Sequence, residues 1–432
     1  MLMAREWRAD FQTYLLKTYR SPVICFTMNI PGPVKKDPLI CRSFRWGLER
    51  LEQSLTGVVF RRVREEATGC EAYFVAECTA LELKRLCTEI EDSIPLGRLF
   101  DMDVTDADGT KLERSLVNGK SRDCIVCGAT GRGCASRRLH SVGELQRAAW
   151  RIMEAHFHQE DGMQVGQMAV QSLMDEVYTT PKPGLVDRRN SGSHRDMDLS
   201  AFAASAQALE PYFRECFRLG HETADLQPGE TFALLRQAGI RGEGEMYRAT
   251  GGVNTHKGAI FTLGILCGCL GRLWMPEAPI LPMEKLLENC AAMGKVALKD
   301  LEGLTSPATA GEKLYLERGI TGIRGEVAGG LPSVVRIGLP AYRMALEAGY
   351  SPNDAGAVAL IHLMAQVEDS NLHHRGGRDG AAWARVEAKK LLPLPDMARI
   401  AELDDAFIAR NLSPGGCADL LAATLFLVSL YE

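Results

Sequence analysis

Residues 179–198, TTPKPGLVDRRNSGSHRDMD, lie between two apolar-periodic segments and break the periodicity of both. Pro181 and Pro183 discourage helix on either side of Lys182, and Gly184, Gly192 and Ser193 add turn chemistry, so the backbone runs as an irregular loop. It carries Lys182, Asp187, Arg188, Arg189, His194, Arg195, Asp196 and Asp198. That mixture of cations and carboxylates suits a polyphosphate with its metal better than a core. Taken alone, the stretch reads equally well as a solvated linker. Later loops of the same character decide in favour of a site.

Downstream, helical periodicity is visible over residues 199–217, 232–247, 258–270, 283–298, 341–348, 352–367, 381–392 and 396–408. Ser351 before Pro352 supplies a cap residue and a proline at the first helical position. Strand-like alternation is scarce, and no strand leads into a GxGxxG turn, which argues against a Rossmann or P-loop origin. An all-α domain of about 270 residues fits best.

Upstream, the character changes at Gln159-Glu160-Asp161-Gly162. The boundary is placed there, giving domains 1–160 and 161–432. The first is expected to be α+β. Residues 23–30 are rich in strand formers and end at Pro31-Gly32-Pro33; residues 57–64 and 70–77 read as paired strands; residues 98–105 and 110–115 flank an Asp-Gly turn as a further hairpin. Helices are expected over residues 79–92 and 142–158.

The 432 residues carry 50 basic and 55 acidic side chains, a formal net charge of -5. That leaves no polycationic footprint, so nucleic acid is not an expected partner. The longest nearly uncharged run, residues 258–271, is too short to span a bilayer, and no membrane partner is expected. The start, MLMAREWRADFQTYLLKTYR, has no apolar h-region. Thirteen cysteines, an odd number over a long chain, fit a reducing compartment, and the expected location is cytoplasmic.

Four further loops carry chemistry. Gly251-Gly252-Val253-Asn254-Thr255-His256-Lys257-Gly258 precedes a helix, so glycines, free N–H groups and Lys257 can meet a phosphate. His256 there reads as either a proton-transfer group or a structural histidine. Residues 322–330 set Arg324 and Glu326 among four glycines. Glu368-Asp369-Ser370-Asn371 offers hard oxygen ligands suited to Mg2+ with substrate phosphate. Asn411 to Asp419, NLSPGGCAD, is another glycine turn into a helix.

PKPGLVD, GGVNTHKG, RGE, EDSN and NxSPGGxAD, in that order, resemble triphosphoribosyl-dephospho-CoA synthase from about Met163 to the C-terminus. The resemblance implies transfer of the ribose C1 of ATP to the 2′-hydroxyl of 3′-dephospho-CoA, with adenine leaving. Within that reaction, residue chemistry assigns phosphate and substrate contacts to Lys182, Asn254, His256, Lys257, Arg324 and Asn371. Asp187, Glu326 and Asp369 take metal or acid–base work, with Mg2+ at Asp187 and Asp369.

In the first domain, Asp101 and Asp103 of GRLFDMDV stand at i and i+2 on a strand and share one face. They read as a polar outer face or as a metal site. FTMNIPGPVK, GRLFDMDV and the loop from Cys124 to His140 together resemble holo-citrate lyase synthase over about residues 10–158, which implies a nucleotidyltransferase-like domain. The implied reaction is attack by a serine of the citrate lyase acyl carrier protein on the triphosphoribosyl precursor, with pyrophosphate leaving, Mg2+ at Asp101 and Asp103, and Arg98 on the phosphates. Cys124, Cys127, Cys134 and His140 are close enough in sequence for a zinc site, but the spacing departs from the paired CxxC pattern and reduced thiols in a loop are the favoured reading. The expectation is a bifunctional transferase, an α+β domain followed by an all-α domain. The alternatives are the equivalent enzyme of the malonate decarboxylase pathway and a nucleotide-binding regulatory protein without turnover.

Overall fold

The computed structural model describes residues 2–119, 121–129, 134, 137–278, 281–307 and 309–432. The chain divides into two compact units, Met1–Glu160 and Asp161–Glu432.

In the first unit, strands β1 (Val23–Met28), β2 (Val58–Glu66), β3 (Gly69–Ala76) and β4 (Phe100–Thr105) form one antiparallel sheet in the order β2-β3-β1-β4. Alternation along the strands sorts the side chains by face. Phe26, Phe100, Met102 and Val104 are buried on one face. Helices α2 (Pro38–Ser54) and α3 (Ala80–Ser93) cover it. Phe26 stacks on Phe44 of α2 at 4.8 Å and meets Phe100 edge-on at 5.3 Å. Enclosing each of these rings contributes roughly 1.5–3 kcal/mol. Both helices start where the sequence puts caps: Asp37 accepts the Ile40 N–H at 2.7 Å, and Thr79 with Glu82 forms a capping box. On the other face, α1 (Leu2–Tyr19) lays Trp7, Phe11 and Leu15 against Val23, Cys25, Tyr73 and Val75.

The second hairpin forms only its turn. Gly109 N–H closes on Asp106 O at 2.9 Å, but pairing stops after a single bridge between Thr105 and Lys111. Residues Arg114–Val117 form a 3-10 turn instead. The carboxylates of Glu91 and Asp92 hold the Arg114 guanidinium there, and two charge-assisted bonds outweigh a short ladder on an edge strand.

Every regular element of the second unit, among the described residues, is helical. Helix α4 (Val142–Tyr178) runs on past His158, where the sequence suggested a stop. Its glycines serve packing rather than termination. A Cβ at Gly162 would press on the Phe217 ring at 3.1 Å, and one at Gly166 on Arg214 Cγ at 2.8 Å. Both partners lie on α6 (Glu210–Glu222), which follows the short α5 (Leu199–Ala208).

The chain continues through α7 (Pro228–Ala249), α8 (Lys257–Arg272), α9 (Met283–Lys299), α10 (Ala310–Arg318) and α11 (Gly322–Ala328). After a π-helical turn at Val334–Gly338 come α12 (Leu339–Glu347), α13 (Pro352–Gln366), α14 (Ser370–Lys389), α15 (Met397–Ala409) and α16 (Gly415–Tyr431). Helices α13 and α16 are buried nearly all round, as their unbroken apolar sequences require. No helix among the described residues is long and apolar enough to cross a membrane.

Candidate functional site

The polar loops of the second unit converge on one cavity of about 1020 Å³. Helix starts build its wall, at α8, α14 and α16. Such starts present free N–H groups and the positive end of the helix dipole.

Asp369 caps α14. Its Oδ1 accepts the N–H groups of Asn371 and Leu372 at 2.8 and 3.1 Å, while Oδ2 accepts the Cys417 N–H of α16 at 2.8 Å. Burial raises its carboxyl pKa against the pull of those donors. Asp419, one turn into α16, accepts the Ala259 N–H at the start of α8. A Cβ at Gly258 would overlap Asp419 Oδ2, so only glycine lets the helix start come this close. Enclosure, with the charges of Glu176 and Asp369 nearby, pushes the Asp419 carboxyl well above the usual range. Its fractional exposure is nevertheless intermediate, because the accessible part belongs to the cavity wall.

His256 is 3% exposed and lines the same cavity. Thr255 Oγ1 donates to Ser205 Oγ at 2.8 Å, and Ser205 Oγ lies 2.8 Å from His256 Nδ1. The other ring nitrogen, Nε2, is buried and has no hydrogen-bond partner. Burial first, and then the charge of Lys182, push the imidazole pKa down to about 3, so the ring is neutral at physiological pH.

His194 is also held neutral. It sits between Ser413 Oγ at 2.9 Å and the Arg375 guanidinium at 3.1 Å. Burial and the arginine charge lower its pKa to about 4.

The other residues singled out from sequence divide in two. Lys182, Asn254, Lys257, Glu326 and Asn371 line the cavity with Asp369 and His256; Asp187 and Arg324 do not. Asp187 stitches its own loop, accepting the N–H groups of Lys182, Arg189 and Asn190 at 2.9, 2.7 and 3.1 Å. Arg324 reaches Glu312 at 3.4 Å. Glu326 accepts both the N–H and the hydroxyl of Ser333, at 3.1 and 2.7 Å. Lys257 pairs with Glu243 at 2.8 Å.

Lys182 is 1% exposed, with Nζ 2.6 Å from Glu176 Oε1. Removing one member of such a buried pair strands the other charge. Lys182→Met is expected to cost about 3–5 kcal/mol in urea unfolding of the full chain. Adding Glu176→Gln should recover most of that loss; a single variant as stable as the parent would show that the pair is not closed.

Sequence reasoning missed Glu176, Asp404 and Asp419. Asp419 had a signal, since it ends the NLSPGGCAD turn. Asp404 had none. Fully buried on α15, it accepts the Gly184 N–H and the Asn190 amide, both at 2.8 Å, and so pins the 179–198 loop from more than 200 positions away.

In the first unit, Asp101 and Asp103 lie together on β4, opposite Thr27 and Cys25 of β1, and alternate with buried Phe100, Met102 and Val104. Asp103 pairs with Lys111 at 2.6 Å. Burial and the neighbouring Asp103 raise the Asp101 carboxyl pKa, while Arg122, Lys111 and Lys84 oppose the rise. Arg98 donates to the Asp123 carbonyl, and Arg114 and Arg122 hold the buried Glu91. Two carboxylates within reach of Arg122, Lys111 and Lys84 suit a phosphate-rich ligand.

A carboxylate-lined cavity walled by helix starts and an Asp-x-Asp strand with cations beside it are compatible with phosphorylated ligands, and the similarity to known proteins supplies the class, a transferase. Residues 162–432 match the family described as CitG, ATP:dephospho-CoA triphosphoribosyl transferase. Residues 1–156 match CitX, apo-citrate lyase phosphoribosyl-dephospho-CoA transferase. The full chain is 35% identical to Protein CitXG of Haemophilus influenzae, covering 99% of this chain and 95% of the relative. Protein CitXG of Leuconostoc mesenteroides subsp. cremoris is 31% identical with the same coverage. The 2-(5''-triphosphoribosyl)-3'-dephosphocoenzyme-A synthase of Pectobacterium atrosepticum is 42% identical over 66% of this chain and 95% of its own. The chain therefore belongs to the CitXG family, a fusion of the two transferases, and the malonate decarboxylase alternative is not favoured.

Proposed function

We propose that the second unit joins the ribose C1 of ATP to the 2′-hydroxyl of 3′-dephospho-CoA, releasing adenine, and that the first unit transfers the product to the citrate lyase acyl carrier protein. In the first step the C1–O bond forms, the C1–N bond to adenine breaks, the hydroxyl loses a proton and adenine gains one. Asp419 is the group assigned to take the hydroxyl proton. Enclosure raises its pKa above that of an ordinary carboxylate, the direction that makes a carboxylate a stronger base. Asp369 adds negative charge at the cavity wall, near the cationic sugar that develops as adenine departs. The unpartnered Nε2 of the neutral His256 bonds a polar group of the substrate, and Asn254, Lys257 and the α8 start face the phosphates.

In the second step a serine hydroxyl of the carrier protein attacks the α-phosphorus, and diphosphate leaves. This assigns nucleotidyl transfer to the first unit, with Arg98, Arg122 and Lys111 beside the phosphates. The Asp101–Asp103 pair fits Mg2+ by donor chemistry. Among the described residues no three carboxylates converge tightly enough to hold an ion alone, so magnesium in either unit would rest on one or two carboxylates and substrate phosphate. In the second unit Asp369 is the carboxylate at the cavity wall that would hold it, since Asp187 lies outside that wall. When bound, magnesium neutralises charge on phosphate oxygens.

The observation that carries this reading is Asp419 held in the cavity against Gly258. Chromatography of adenine from ATP incubated with the full chain and 3′-dephospho-CoA tests it. Adenine should form only when both substrates are present. Release of ADP or AMP in its place would overturn the assignment.

A further inference from the structure

Neither proposed reaction uses the cysteine loop that follows β4. Cys124, Cys127, Cys134 and His140 bring one ligand atom each within 4.8 Å of one another. Cys127 Sγ is 3.4 Å from Cys134 Sγ and 3.3 Å from His140 Nε2. Bonds of about 2.3 Å from zinc to sulfur set tetrahedral ligand atoms about 3.8 Å apart, so small side-chain rotations close all four on one ion. A disulfide does not explain the approach, because 3.4 Å far exceeds the S–S bond of about 2.05 Å, and all three thiols are free. Apolar packing does not explain it either: Cys127 is exposed and the other three residues are half-buried.

The backbone is shaped to the same end. Gly128 adopts φ +68 directly after Cys127, and its N–H closes on Cys124 O at 2.9 Å. This tight turn lets the N–H groups of Val126 and Cys127 donate to the Cys124 sulfur. Donors on a ligand sulfur orient it toward the cluster.

We propose that Cys124, Cys127, Cys134 and His140 bind one Zn2+ in a closed tetrahedral Cys3His site. Three soft thiolates and an imidazole select zinc over magnesium. Four protein ligands leave no position for substrate, so the site is structural. Its place in the chain shows what it braces. Arg122, two residues before Cys124, pairs with Glu91 at 2.7 Å, and the Asp123 carbonyl accepts from Arg98. The zinc turn holds these arginines beside the Asp101–Asp103 strand.

Metal analysis of the full chain, purified anaerobically without added metal, tests the site. About one zinc per chain is expected, with loss in Cys127→Ser and His140→Ala and retention in His140→Cys, which keeps a fourth zinc ligand. Cobalt added to the metal-stripped reduced chain should give sulfur-to-metal charge-transfer absorption. Carrier-protein modification retained in His140→Cys and lost with the zinc in Cys127→Ser and His140→Ala, with adenine release from the second unit unchanged in all three, confines the effect to the first unit. Less than about a tenth of a zinc per chain together with no cobalt charge-transfer band would overturn the proposal, as would zinc that persists in both Cys127→Ser and His140→Ala.

Discussion

Asp419→Asn is expected to lower adenine release by at least ~100-fold while making the protein more resistant to heat at neutral pH. The amide keeps the shape and can still accept the Ala259 N–H, so the start of α8 stays in place. What it loses is the ability to take a proton and to offer negative charge to the sugar. The gain in stability has the opposite origin. Enclosure and the charges of Glu176 and Asp369 raise the Asp419 pKa in the folded chain above its unfolded value. The folded state therefore holds this proton more tightly. The corresponding stabilisation is complete below the unfolded carboxylate range, about pH 3.9, and is lost as pH rises through the folded value. Asparagine carries no such penalty, so its advantage in melting temperature should be largest near neutrality and vanish in acid. Carrier-protein modification by supplied precursor should be unchanged. A variant that releases adenine at the parental rate would remove Asp419 from the chemistry.

Asp101→Asn and Asp103→Asn are each expected to cut transfer to the carrier protein by about 100-fold or more, the scale of losing one key electrostatic contact. Both side chains occupy one face of β4, so each substitution weakens the same site. The substitutions should not unfold the strand, because Phe100, Met102 and Val104 pack on the opposite face. Adenine release should continue and the triphosphoribosyl precursor should accumulate. The double variant should be little worse than either single one, since residues acting as a unit are not additive. If the two carboxylates are only a solvated strand face, with Lys111 as a surface partner of Asp103, both single variants will transfer at nearly the parental rate.

Locally encoded features were legible in the residues themselves. The strand alternation that puts Asp101 and Asp103 on one face follows from the two-residue repeat of a strand, and the start of α13 follows from Ser351, whereas the helices α1 and α2 were not expected from the sequence. The glycine turns before α8 and α16 were visible for the same reason, because φ and close approach are properties of one or two residues. Gly162 misled because a helical glycine has two uses, and only the Phe217 ring packed against it shows which one applies.

Long-range electrostatics belonged to the tertiary structure alone. Lys182 was a phosphate ligand by composition, and the fold closes it on Glu176; Asp187 was a metal ligand by composition, and the fold turns its oxygens to the N–H groups of its own loop. Asp404 holds that loop from α15, and Ser205 bonds His256 Nδ1 from α5. The sequence by itself determined where most helices and turns begin and which residues carry charge. The tertiary structure decided which charges are already partnered and which remain for substrate, because a charge's partner is set by distance in space, and burial then multiplies the strength of whatever pair results.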